Sequence, residues 1–268
     1  MIEKPPYDCG FYAGHEAGSA SSAARVVPLL IRALRPQSVL DVGCGTGVWL
    51  AAFAAEGVAD YLGLDGDYVE SGTLRVPRER FRAHDLTKPF ELGRRFDLAL
   101  SLEVAEHLDA AVADQFVACL VRHSDKVCFS AAVPGQMGTH HVNCQPLSYW
   151  CRIFGNHGYG LRDCIRGNIW DDPRVEWWYA QNTVLFVKEG SLDGEADRHI
   201  SELGHPRPVD IVHPKLMAMC EGARLASADE AGEMRRRPFR NLARRVAPEP
   251  VKKVVRGIKS RRSGSGAA

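Results

Sequence analysis

The chain has 268 residues, 45% of them apolar, enough for one large or two small buried cores, and a formal net charge of +1 at pH 7. Its longest apolar runs, such as 26–33, are broken by Pro28 and Arg32 and fall short of the roughly 20 residues that cross a bilayer. The opening MIEKPPYDCG has an early acid, two prolines and no apolar stretch of the secretory kind, so a cytoplasmic protein is expected. In chain order, helical periodicity covers 19–34, an apolar run at 38–44 reads as a strand, and 48–56 reads as a helix. Strands follow at 60–65, 80–85, 96–103, 126–133 and 183–188, with a weak one between 162 and 169 and helices at 67–74, 110–123 and 147–157. The stretch 170–181 is rich in turn formers, so the last two strands pair as an antiparallel hairpin at the sheet edge. The alternation predicts an α/β doubly wound, Rossmann-like sheet of seven strands, mostly parallel with one antiparallel edge strand, and helices on both faces.

Four regions follow from this pattern: a lead-in and helix at 1–37, the sheet domain at 38–190, a loop with short helices at 191–234, and a basic tail at 235–268. The eight cysteines show no C-x-x-C spacing and read as reduced core thiols.

The stretch VLDVGCGTG joins the first strand to the helix after it. A phosphate loop needs a lysine after its last glycine, but Val48 follows Gly47. A pyrophosphate fingerprint beginning at Gly43 needs glycine at position 48, where its absence of side chain lets helix and strand pack closely. What remains is acid-x-G-x-G-x-G, formed by Asp41, Gly43, Gly45 and Gly47, in which glycine lets the backbone approach a ligand.

This motif resembles the first motif of class I S-adenosylmethionine-dependent methyltransferases, and the resemblance extends over about residues 12–188. It implies S-adenosylmethionine as cofactor, with Asp41, Gly43, Cys44, Gly45 and Gly47 at its methionine end. Asp65 and Gly66 in GLDGDY are implied at the ribose, a diol whose two O–H donors suit a carboxylate. Asp85 and Leu86 in RAHDL are implied at the adenine, and Ser101 in FDLALSLEVAEHL lies beside the sulfonium, as in the ubiquinone-type subfamily. Tyr12 is expected to close over the donor. The pattern P-G-x-x-G-x-x-H-V-N at 134–143, followed by a Tyr-Trp pair, resembles small bacterial methyltransferases of glycan and natural-product assembly. It implies a small-molecule or glycan acceptor.

Nitrogen-directed relatives carry an [ND]-P-P-[YF] motif after the fourth strand; here that place holds Ser101-Leu102-Glu103-Val104, so nucleic acid is not the expected acceptor. A hydroxyl acceptor must lose its proton as it attacks, and His141, then His140, is the expected base because imidazole titrates near neutrality, with Glu103 and His107 beside it. Tyr149, Trp150 and Trp178 offer aromatic faces to the acceptor; Trp177 and Trp178, read as extended, point to opposite sides. No metal-ligand spacing is recognisable, and no metal is expected.

Between Arg235 and Arg262 lie twelve Lys or Arg and one acid, Glu249, so the rest of the chain is net acidic. Phe239, Leu242, Ala243 and Val246, then Val251, Val254, Val255 and Ile258, repeat at helical spacing, and Pro248 and Pro250 separate the two segments. Cationic amphipathic helices of this kind suit peripheral contact with an anionic membrane. Oligomeric state leaves no mark in the sequence.

Overall fold

A computed structural model of the chain describes residues 9–204 and 208–222, with side chains from Glu16 onward. The expectations on Tyr12's side chain and on the tail at 235–268 lie outside the described residues. Short β-rich runs fold into seven strands: β1 (Ser38–Val42), β2 (Asp60–Asp65), β3 (Phe81–Ala83), β4 (Leu98–Leu102), β5 (Lys126–Ser130), β6 (Tyr159–Arg162) and β7 (Val184–Lys188). They form one sheet in the order β3-β2-β1-β4-β5-β7-β6. β1 to β5 run parallel, with Leu40 level with Leu62 on one side and Ala99 on the other. β7 runs antiparallel to both neighbours and, with the rim strand β6, makes the expected hairpin at this end of the sheet.

Because successive strand residues face opposite sides, the sheet divides the core in two. Val39, Leu98, Leu100, Cys128, Leu185 and Val187 point to one face, under α1 (Cys9–Leu34), α2 (Val48–Ala55) and α7 (Gly194–Leu203). Leu40, Val42, Ala99, Val127, Phe129 and Phe186 point to the other, under α3 (Ala113–His123) and α4 (Leu147–Asn156). β4 is buried at all five positions, as a central parallel strand covered on both faces requires. Helix α1 buries Ala23, Val26, Val27, Leu30 and Ala33, a stripe at helical spacing, and packs on α2 and α7.

Three expected elements differ. Residues 67–74 form only a short 3-10 turn, Ser71–Thr73, where the Thr73 hydroxyl donates to the Glu70 carbonyl at 2.8 Å and holds a turn in place of a helix. The weak strand lies earlier, at Tyr159–Arg162, because Gly158 at φ +78° ends α4 and turns the chain into the sheet; Arg166–Ile169 is a helical turn, α5. Residues Trp177–Asn182 are a helix, α6, so Trp177 and Trp178 stand about 100° apart by helical geometry, and both are half-buried. Of the cysteines, 44, 119, 128 and 164 are buried as expected; Cys144 and Cys151 are half-buried and Cys220 is exposed. The chain divides into two compact units, Met1–Leu216 and Met217–Ala268; of the second, residues 217–222 are described and are helical.

Candidate active site

The strand order reverses between β1 and β4, and in such sheets the crevice beyond the carboxyl ends of these two strands is where ligands bind. β1 delivers Asp41, 2% exposed, and then the glycine turn. Gly43 has φ +85°, and a Cβ there would lie 2.3 Å from the Val104 side chain, so only glycine lets the turn pack against the segment after β4. Gly47, also left-handed, opens α2. Asp65, at the end of β2, receives the backbone N–H of Gly45 at 2.6 Å, that of Gly66 at 2.7 Å and the Tyr68 hydroxyl at 2.6 Å. The turn and the second strand are thereby locked together.

Burial sets the electrostatics of this end. Removal from water pushes the pKa of Asp41 up to about 8, with the neighbouring Asp65 charge adding to it, and its Oδ2 has no hydrogen-bond partner. Asp65 is raised by burial too, against the hydrogen bonds from Tyr68, Gly45 and Gly66. The buried Ser101 hydroxyl on β4 is likewise without a partner. Cys44 lies buried beneath the turn. Asp85 sits two residues beyond β3, where the His84 N–H bonds to the Asp65 carbonyl at 2.7 Å. Its carboxylate turns back on its own loop, onto Thr87 and Lys88, which hold it down at about 2; its side chain is 49% exposed. Leu86 packs at the edge of the second core face.

At the end of β4 a second cluster assembles. Glu103 has φ +55°, a left-handed conformation that costs a non-glycine residue roughly 1–2 kcal/mol and marks a constrained position. Its carboxylate accepts from Gln136 Nε2 at 2.7 Å and Asn182 Nδ2 at 3.1 Å, and Asn182 also donates to Gln136 Oε1 at 2.9 Å. Glu106 and His107 follow on a 3-10 turn, Ala105–His107. The Glu106 carbonyl accepts the N–H groups of Val142 and Asn143, both at 2.9 Å, which draws the loop after β5 alongside. The His107 and His141 rings then meet edge to face with centroids 5.0 Å apart. His107 is lowered to about 4 by burial, with His141 second among the causes, so its ring is neutral at pH 7. His141 Nδ1 lies 3.1 Å from the Gln136 carbonyl oxygen, which can only accept. The neutral ring therefore carries its proton on Nδ1 and a lone pair on Nε2. His140 is exposed, and its carbonyl oxygen lies 3.3 Å from His107 Nδ1.

Beside this cluster lies a cavity of about 240 Å³ lined by Phe129, Ala131, Trp150, Gln181 and Asn182, with Val209 to Val212 along its rim. Arg166, 1% exposed, braces that rim: it pairs with both Asp163 oxygens at 3.0 and 2.7 Å and donates to the carbonyls of Pro208 and Val209. Trp150 is thus placed at a cavity, with its indole nitrogen unpartnered, whereas Tyr149 and Trp178 do not line it and Trp178 lies against the opposite core face. Gln136, Asn182 and Arg166 join the site without a sequence signal, because their contacts with Glu103 and with residues 208–209 link positions 33 to 79 apart.

A family profile described as a methyltransferase domain matches residues 17–120. Among curated proteins none matches. Of solved structures, the sugar N-methyltransferase KedS8 from Streptoalloteichus sp. is 18% identical with a TM-score of 0.50, over 66% of this chain and 91% of that one. DesVI from Streptomyces venezuelae is 26% identical with a TM-score of 0.39, and the match spans 48% of this chain and 57% of DesVI. CalS10 from Micromonospora echinaspora, an amino pentose methyltransferase, is 16% identical with a TM-score of 0.49, over 70% and 100% of the two chains. The donor end fits S-adenosylmethionine: its ammonium matches the orphaned Asp41 oxygen, and three of the four lone-pair sites of Asp65 are taken, leaving one for a ribose hydroxyl. The methyltransferase-domain profile thus lies over that glycine turn, and the seven-stranded sheet behind it has the fold of KedS8.

Proposed function

We propose that the chain moves the methyl group to a hydroxyl of a sugar, glycan precursor or natural-product-like small molecule. The observation that carries this reading is a polar cluster of Glu103, Glu106, His107 and His141 at the carboxyl end of β4, next to a cavity with an aromatic wall. Bound S-adenosylmethionine supplies a methyl group on a sulfonium. Asp41 and the glycine turn would hold its methionine end, Asp65 and Gly66 its ribose, and Asp85 and Leu86 its adenine, with the buried Ser101 hydroxyl free to accept or donate toward it. Trp150 gives the acceptor an apolar wall, and Glu103 orients acceptor hydroxyls. The acceptor proton leaves to His141 through its Nε2 lone pair. Holding oxygen and methyl in line supplies most of the acceleration.

An amine on a sugar is the second reading, since KedS8 is a sugar N-methyltransferase on the same fold. The cationic segment at 235–268, with twelve basic residues, supports peripheral contact with an anionic membrane. The test supplies the full chain and donor labelled in its methyl group to an extract of the source cells, then separates lipid-linked glycan, small-molecule, protein and nucleic-acid fractions. Label on oxygen in either of the first two is the expected result, and label on nitrogen there selects the second reading. Label only in nucleic acid, or none despite donor binding, overturns both.

A further inference from the structure

We infer that Glu106, His107 and His141 form a binding site for one divalent first-row transition-metal ion at the acceptor end of the crevice. One ligating atom from each of the three lies within 4.8 Å of the others. Among the described residues this is the group of three that meets such a condition. The independent mark of a missing partner is Glu106. It is 0% exposed, and neither of its carboxylate oxygens has a hydrogen-bond partner. Buried carboxyl groups are as a rule hydrogen-bonded, paired or bound to metal, so a wholly buried one without a partner points to a missing ligand.

The surroundings hold the three groups in place. The carbonyl of Glu106 is bonded to the two N–H groups that follow His141, which fixes the loop after β5 against the turn after β4. Each ring is steered through Nδ1, His107 by the His140 carbonyl at 3.3 Å and His141 by the Gln136 carbonyl at 3.1 Å. Carbonyl-oriented imidazoles are the usual outer support of a metal site. Bonds of about 2.1 Å would set tetrahedral neighbours roughly 3.4 Å apart, a closure that side-chain rotation can supply. Two imidazoles and one carboxylate suit manganese, iron, cobalt or zinc better than magnesium or calcium, and leave coordination positions open.

The inference rests on the hydroxyl-acceptor reading for its role. An acceptor hydroxyl bound at an open position has its pKa lowered, and its proton passes to bulk water. The oxygen's electron pair then forms the bond to the methyl carbon as the carbon–sulfur bond breaks and its pair returns to sulfur. With an ion in place, His141 is a ligand and the ion does the acidifying.

The full chain, stripped with a chelator, is titrated with manganese(II) chloride, following loss of the free-ion paramagnetic resonance signal, and separately with zinc chloride against an indicator dye. Donor affinity is measured on the same samples. One equivalent of either ion is expected, with Glu106→Gln and His141→Ala each weakening uptake at least 10-fold while donor affinity holds. No stoichiometric uptake of either ion, or uptake unchanged in both variants, overturns the site. Because acceptor is absent from the titration and donor binding is read separately, failure here leaves the methyl-transfer reading untouched, and failure to find a hydroxyl acceptor leaves the titration valid.

Discussion

Asp41 is the residue whose physics is most exposed to test. Its folded pKa of about 8 lies above the roughly 3.9 of an unfolded aspartate. Between those values the folded chain holds a proton that the unfolded chain has lost, so stability falls as pH rises from about 4 through about 8. Asp41→Asn removes that slope. Without donor, the variant's melting temperature should match the native one near pH 4 to 5 and exceed it at pH 8.5. Donor affinity should move the other way, weakening by about 10-fold or more as a charge-assisted contact is lost. Parallel melting curves against pH would show that Asp41 stays ionised in the fold. The residue types were legible in the sequence: Asp41, Asp65 and the glycines stand at the crevice because local turn chemistry already demanded them. Which atoms lack partners was not, since desolvation depends on what the whole fold places around them.

At the scale of elements, the face under α4 depends on aromatic interlocking. Phe154 is fully buried, stacked on Phe186 of β7 with centroids 3.9 Å apart, and meets Phe129 of β5 at 5.3 Å. Phe154→Ala should cost about 3–5 kcal/mol in urea unfolding, and donor affinity should stay native in the folded fraction because Phe154 belongs to the core face opposite the one under α2. A loss under about 1 kcal/mol would mean that this layer collapses around the void. Strands β1, β2, β4, β5 and β7 were readable because each is a short, mainly apolar run that alternates with helical patterns along the chain. The helix expected at 67–74 and the extended reading of Trp177 and Trp178 failed for one reason: short segments take the conformation that their contacts select. The Thr73 hydroxyl and backbone N–H both bond to the Glu70 carbonyl and hold a tight turn, while Tyr179 packs on Trp49 with centroids 5.1 Å apart and draws its segment into a helix.

For the whole molecule, the uneven charge is the property that acts at long range. Twelve basic residues against one acid between positions 235 and 262 set a cationic end against an acidic remainder. If that end meets anionic lipid, replacing Arg235, Arg236 and Arg237 together by alanine should weaken co-sedimentation with phosphatidylserine vesicles about 100-fold, at about 1 kcal/mol for each residue near the surface. Binding should fade with salt and be absent on neutral vesicles. Equal binding of the native chain to both vesicle types would remove the membrane from the account.

The sequence by itself determined the sheet and the glycine turn that sets Asp41 and Asp65 at the crevice, because strand patterning and a turn that only glycine can make are local properties. Tertiary structure alone decided that Glu103 is gripped by Gln136 and Asn182, that Trp150 borders a cavity while Trp178 lies on the other face, and that His107 and His141 close on a buried, unpartnered Glu106. Those relations join residues tens of positions apart through the parallel pairing of β4 with β5, and no spacing along the chain encodes them.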